Sequence, residues 1–301
     1  MVELPPAVPV STGPLRGRSA AEIARIGVVR FVNTLPLIDG LEDCRDVALH
    51  HAVPSQLIDR LTAGDVDIAL CSSIDFQRAT EPLVILPVGH LGCDGPTLTV
   101  RLYARRPIEQ LDRVHCDTDS HTSVALLRIV LREQFGIDPE FVPFDAEGPA
   151  GLAATSPEAM LLIGDKVVTD SPAAVRYPHQ IDLGAAWHEL TGLPFVFAVW
   201  LARESTAPDL LCRAGWILDR QRRRNRAWID RIVHDRVLDR GWPRDLASEY
   251  LGRRIRYDFG PRAQAGLAEY WRRAGEHGLI APVKPMQIAE LSAPPATCVP
   301  G

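Results

Sequence analysis

Several features that would assign this chain to a large class of proteins are missing. No apolar stretch in its 301 residues approaches the roughly 20 needed for a bilayer-spanning helix, so no membrane helix is expected. Its six cysteines (Cys44, Cys71, Cys93, Cys116, Cys212 and Cys298) include no CxxC pair. Neither a structural zinc site nor a disulfide framework is expected, which fits a reducing cytoplasm. Nor is there an excess of positive charge. The formal net charge of -5 offers no general attraction to nucleic acid or to an anionic membrane. The first twenty residues contain prolines but no apolar core of the signal-peptide kind, and are read as a loose tail over 1–21.

What remains is the composition of an ordinary globular protein, 46% hydrophobic and 24% charged, with length enough for two lobes. The most informative stretch is RIGVVRFVNTLPLIDGL, from Arg25. A β-branched run over 26–32 predicts a buried strand. It delivers Asn33 and Thr34 to a helix that starts at Leu35, with Pro36 in the first turn. The start of a helix offers free N–H groups and the positive end of its dipole, a setting suited to a carboxylate. Plain helix capping is the competing reading.

The same arrangement recurs twice. A strand over 66–70 ends in Cys71-Ser72-Ser73, and Val114–Asp117 leads through Thr118–Ser123 into an apolar helix. Further strands are expected near 46–51, 82–87, 97–103, 140–143 and 158–163, with a turn at 93–96 and a helix from Pro54 to Gly64. The Arg222–Arg226 run lies in a helical stretch over 207–277. Core-spaced apolar residues interleave it, so it is read as a solvated face and not as an RNA patch.

Alternating strands and helices predict an α/β protein with mostly parallel sheets. Lobe one is expected from 22–104 and 202–280 and lobe two from 105–201, followed by an irregular tail over 281–301. The crossings between lobes are expected as strands near Thr99–Tyr103 and Val196–Trp200. Ligand binding is then expected in the cleft beyond the carboxyl ends of the strands.

Taken together, FVNTLPLIDGL, GDVDIALCSSIDF, CDGPTLTV, DTDSHTSVALL, LLIGD and DLGAAWHELTGLPFVFAVW resemble, in order, the menaquinone-biosynthesis proteins of the futalosine route. Within that family they are most similar to the branch that dehydrates chorismate. The resemblance covers roughly residues 25–280. It implies a two-lobed type-II periplasmic-binding-protein-like fold working as a cytoplasmic enzyme, monomeric or homodimeric. The implied reaction is loss of water from chorismate to give 3-[(1-carboxyvinyl)oxy]benzoate, with no metal or organic cofactor. Neither nucleic acid nor membrane is an expected partner.

The resemblance also supplies candidate residues. The family's functional asparagine falls on Asn33, and its usual serine is Thr99 here. Where relatives often have SRTS this chain has Ser120-His121-Thr122-Ser123, replacing a fixed charge with a titratable one. These residues, with Thr34, Ser72, Ser73, Gly164 and Asp165, form the candidate substrate site. Asp165 carries a structural reading beside its cleft reading. None of them stands out as a base, so a carboxylate of the substrate itself is expected to take the ring proton. The competing readings are the sister enzyme that produces dihydroxynaphthoate, a solute-binding protein of the same fold, and a non-catalytic relative.

Overall fold

The computed structural model describes residues 23–117, 119–144 and 157–292. The tail expected over 1–21, the corner residue Thr118 and the end of the tail expected over 281–301 lie outside the described residues. The first strands are β1 (Ala24–Val28), β2 (Val47–His51), β3 (Ile68–Ser72) and β4 (Leu83–Cys93). Then follow β5 (Val100–Ala104), β6 (Arg113–Asp117), β7 (Glu140–Phe144), β8 (Ala159–Ile163) and β9 (His179–Asp182). The chain closes with β10 (Phe195–Arg203) and β11 (Ile255–Arg256).

These strands form two sheets, β11-β4-β10-β3-β1-β2 and β7-β6-β8-β5-β9. All five residues of β3 and of β8 are buried, as their unbroken apolar runs require. The sheets are mixed, not mostly parallel. β1 and β6 pair with parallel neighbours, whereas β10 runs antiparallel to β3 and β4, and β5 antiparallel to β8 and β9. The antiparallel strands are those next to the passages between sheets. The chain leaves the first sheet after β4 through 94–99 and re-enters it through 192–194, so both passages are loops and not strands.

Two of the three expected helix starts are minimal. Asn33 lies in a 3₁₀ turn, Val32–Thr34, ahead of a four-residue helix, Leu35–Ile38. The corner after β3 opens another four-residue helix, Asp75–Arg78, and no side chain caps either helix. Only His121–Gln134 is a full helix with a side-chain cap, supplied by Ser120. The helix Pro54–Ala63 ends as expected at Gly64, whose φ of +84° is a left-handed value that glycine adopts without strain.

The arginine run lies on the helix Pro208–Arg226 and is ion-paired, Arg223 to Asp219 and Arg222 and Arg226 to Asp258. The helix Pro261–Glu276 packs on the first sheet and reaches the helix His121–Gln134 of the second through Tyr270. Trp271 stacks on Phe76 with ring centroids 5.1 Å apart, and Tyr270 meets Phe195 edge-on at 4.9 Å. From the C-terminal segment, Ile288 bridges to Ile85 on β4. Among the described residues no helix is long and apolar enough to cross a membrane.

Candidate active site

A cavity open to solvent lies between the sheets. Its hydrogen-bonding wall consists of Asn33, Ser72, Thr97, Thr99, Ser120 and Ser123. Gly164 and apolar side chains such as Phe31, Leu91, Ile163 and Phe197 complete it. Among the described residues that line it, none carries an ionisable side chain.

On the first sheet, β1 leads into the turn holding Asn33. The Asp165 carboxylate reaches over from the second sheet and accepts the Val32 N–H at 3.1 and 3.2 Å, which fixes that turn. Asn33 Oδ1 is buried and has no partner among the described residues. The phenol of Tyr250 stands 2.6 Å from Thr99 Oγ1. Tyr250 is fully buried, and burial pushes its phenol far above the ordinary value even though Thr99 and Asn33 act in the other direction. It stacks on Trp242 at 5.0 Å and opens a π-helical turn, Tyr250–Arg254, a distortion frequent at functional sites.

One hydrogen bond joins the Thr99 hydroxyl and the Tyr250 phenol, and either oxygen can donate it; where the phenol donates, the Thr99 hydrogen is free to face the cavity.

Thr99 lies outside the strand expected for it, since β5 begins one residue later. The Asp182 carboxylate takes up the N–H groups of Thr97 at 2.9 Å and Leu98 at 2.7 Å, so these residues cannot enter a ladder. On the second sheet, Ser120 Oγ accepts the Ser123 N–H at 3.2 Å and lies 3.0 Å from Ser123 Oγ. Both hydroxyls therefore sit at the positive end of a 14-residue helix. Ser72 ends β3 facing the cavity, and its hydroxyl makes no hydrogen bond among the described residues.

The remaining candidates face elsewhere. Thr34 Oγ1 donates back to the carbonyls of Val29 at 3.0 Å and Phe31 at 2.8 Å and is fully buried. Ser73, the next residue after Ser72, emerges on the opposite side of the chain and donates to the Val196 carbonyl at 2.7 Å. Thr122 Oγ1 lies 3.4 Å from Ser73 Oγ and accepts the Ile74 N–H at 3.3 Å. Tyr270 and Trp271 donate to the carbonyls of Thr122 and Ser73, both at 3.1 Å. His121 Nδ1 pairs with Asp75 at 2.8 Å; that hydrogen bond raises its pKa above the ordinary imidazole value, against burial. Ser73, His121 and Thr122 thus form a clasp between the sheets behind the cavity.

Beside the mouth, an outer recess is lined by Arg30, His51, Arg60, Asp119, Asp165 and Lys166. Lys166, one of two lysines in the chain, lies 2.6 Å from Asp117 and 3.1 Å from Asp119. Burial depresses its pKa, but the two carboxylates outweigh burial and keep it raised.

Sequence reasoning overlooked Tyr250, Thr97 and Asp182. Tyr250 is 151 positions from Thr99 in a helical stretch with no motif, so no local signal marked it. Asp182 had a signal, because Asp ahead of the Leu183–Thr191 helix is a cap pattern.

A family model described as menaquinone biosynthesis matches residues 24–276. A chorismate dehydratase of Thermus thermophilus is 32% identical over 63% of this chain and 73% of its own length. Among solved structures, a protein of Archaeoglobus fulgidus superposes with a TM-score of 0.68 at 16% identity, over 87% of this chain and all of its own. The periplasmic aliphatic sulphonate binding protein of Escherichia coli gives 0.54 at 18% identity, over 93% and 97%. The fold is that of the periplasmic binding proteins.

Proposed function

The chain belongs to the menaquinone-biosynthesis family, and from that premise we propose that it is a hydro-lyase that dehydrates chorismate to 3-[(1-carboxyvinyl)oxy]benzoate. One observation carries the reading beyond family membership: among the described residues the cavity wall offers hydroxyls and an amide and no ionisable group. Chorismate brings two carboxylates and a ring hydroxyl. Such a wall orients those groups without a rival charge and excludes water around them.

In this reading one carboxylate docks at the Ser120–Ser123 helix start, and Ser72 steadies the ligand from the opposite sheet. Thr99 donates its free hydrogen to the departing ring hydroxyl, while Asn33 Oδ1 accepts that hydroxyl's own hydrogen. Loss of the hydroxyl from one ring carbon and of a proton from its neighbour yields water and an aromatic ring. Because no described side chain of the cavity wall can act as a base at neutral pH, the enolpyruvyl carboxylate of the substrate takes the proton. Tyr250, Asp165 and the clasp residues hold the geometry.

The test is incubation of the purified protein with chorismate, followed by mass and absorbance for an aromatic product lighter by one water. Chorismate left unchanged while it binds would reject catalysis. Turnover of a cyclic futalosine derivative in its place would assign the protein to the sister reaction. Normal turnover of an analogue without the enolpyruvyl carboxylate would remove the substrate as base.

A further inference from the structure

The loop 94–99, which carries the chain from the first sheet to the second, holds a residue in a conformation its side chain opposes. Leu98 has φ +74° and is the one non-glycine residue with positive φ among those described. For a residue with a branched side chain such a backbone persists only where its surroundings impose it. Leu98 sits between Thr97 and Thr99, both on the cavity wall, and does not line the cavity itself. We propose that Asp182 is a positioning residue that imposes this conformation and so aims Thr99 into the cavity, an inference that rests on the reaction proposed above.

The carboxylate is placed for that task. Oδ1 accepts the Thr97 N–H at 2.9 Å and also the Ala185 N–H at 3.1 Å, and Oδ2 accepts the Leu98 N–H at 2.7 Å. Arg101 approaches Oδ2 at 3.4 Å. One carboxylate thus caps the Leu183–Thr191 helix and grips two consecutive N–H groups of the loop. Helix and loop are forced together here. A Cβ on Gly184 would lie 2.6 Å from both Cys93 Sγ and the Gly95 carbonyl, so only glycine lets the helix start come this close.

Past Leu98, the Thr99 carbonyl accepts the Gly164 N–H at 2.9 Å and its hydroxyl meets Tyr250. With Asp182 holding the entry to Thr99, Gly164 its exit and Tyr250 its hydroxyl, the side chain has one orientation. An asparagine at 182 has a single acceptor oxygen. Its NH₂ would confront one of the two loop N–H groups, freeing Leu98 to return to negative φ and turn Thr99 away.

The test uses Asp182→Asn, Leu98→Gly and their combination, with Asp182→Ser as a variant that keeps a helix cap but lacks the second oxygen. Asp182→Asn and Asp182→Ser should lower kcat for chorismate about 10- to 100-fold, short of deleting the Thr99 donor outright, with KM changed much less. Leu98→Gly alone should leave kcat near wild type, because glycine adopts positive φ freely. Added to Asp182→Asn, it should recover about 5-fold or more of the lost kcat, since the aimed conformation no longer opposes the side chain.

Melting supplies a readout independent of turnover. Leu98 packs against the core, so Leu98→Gly loses the same packing and chain entropy in either background but relieves strain only in wild type; it should lower Tm less there than beside Asp182→Asn. A kcat near wild type in both Asp182 variants, or no rescue together with equal Tm shifts in the two backgrounds, overturns the positioning role. Wild-type protein that leaves chorismate unchanged overturns the proposed reaction instead, and the positioning role then stands or falls on the two Tm shifts alone.

Discussion

Replacing Tyr250 by Phe removes one oxygen from the interior and leaves the ring, its stacking on Trp242 and the π-turn in place. One group loses its partner: Thr99 Oγ1, 2.6 Å from the phenol. Leaving buried polar groups unpaired costs about 1–3 kcal/mol of stability, a shift of several degrees in Tm for a chain of this size. The effect on turnover should be smaller than deletion of a group that meets the substrate. Without the phenol hydrogen, the Thr99 hydroxyl is free among its staggered rotamers and is aimed correctly only part of the time. A loss of about 3- to 10-fold in kcat follows, at most about 1.4 kcal/mol of barrier, whereas removing a direct donor costs about 100- to 1000-fold. The assay is steady-state turnover of chorismate by Tyr250→Phe, Thr99→Val and wild type, each corrected for folded fraction. Wild-type kcat in Tyr250→Phe would refute the relay. A loss equal to that of Thr99→Val would refute it differently, by making Tyr250 itself a substrate contact.

Thr99→Ser should stay within about 3-fold of wild type in kcat because it keeps the hydroxyl, while Thr99→Val should lose about 100-fold and also melt lower, since it orphans the buried Tyr250 phenol; an active Val variant would take Thr99 out of the site. Asn33→Ala should lower kcat by about 100-fold or more with little change in Tm, because no capping bond is lost with it; early melting with normal turnover per folded molecule would reverse that assignment. Ser73→Ala should do the opposite, lowering Tm by breaking the clasp while leaving the KM for chorismate near wild type. The pairing of His121 with Asp75 raises the folded-state pKa of the imidazole, so its stabilising effect is complete below the unfolded value of about 6.5 and fades as pH rises through the folded pKa. The Tm gap between wild type and His121→Gln should therefore be wider at pH 5.5 than at pH 8.5, and an equal gap would show that the pair carries no charge.

The fold was readable because the apolar runs of β3 and β8 and the stop at Gly64 are local signals. The second half of β4, Val88–Cys93, was not. Gly89 and Gly92 interrupt it, and it exists because β10 and β11 pair with it from distant parts of the chain. Strand direction was hidden for a similar reason, since nothing in the composition of β10 says that it returns antiparallel. At the cavity, local pattern located the corners but not the facing of their side chains. Ser72 and Ser73 are neighbours of one type, and the strand's alternation sends one to the cavity and the other to the clasp. Thr34 looked as available as Asn33 until its hydroxyl met the Val29 and Phe31 carbonyls. Tyr250 could be found only once the chain had folded.

The clasp behind the cavity also bears on how a ligand would get in. Its bonds, from Ser73, Thr122, Tyr270 and Trp271, are buried and numerous. Among the described residues, the contacts at the mouth include the Asp165 grip on Val32, and the Phe31 ring set 3.2 Å from where a Cβ on Gly164 would project. Should the sheets part, the buried side would serve as an axle and the mouth as a doorstop. A swing of the second sheet about Ser73 and Thr122 would carry atoms at the mouth furthest and leave those at the axle almost still. A methyl group at position 164, too small to reach the chemistry, would wedge that door against Phe31 and trade tight sealing for faster exchange.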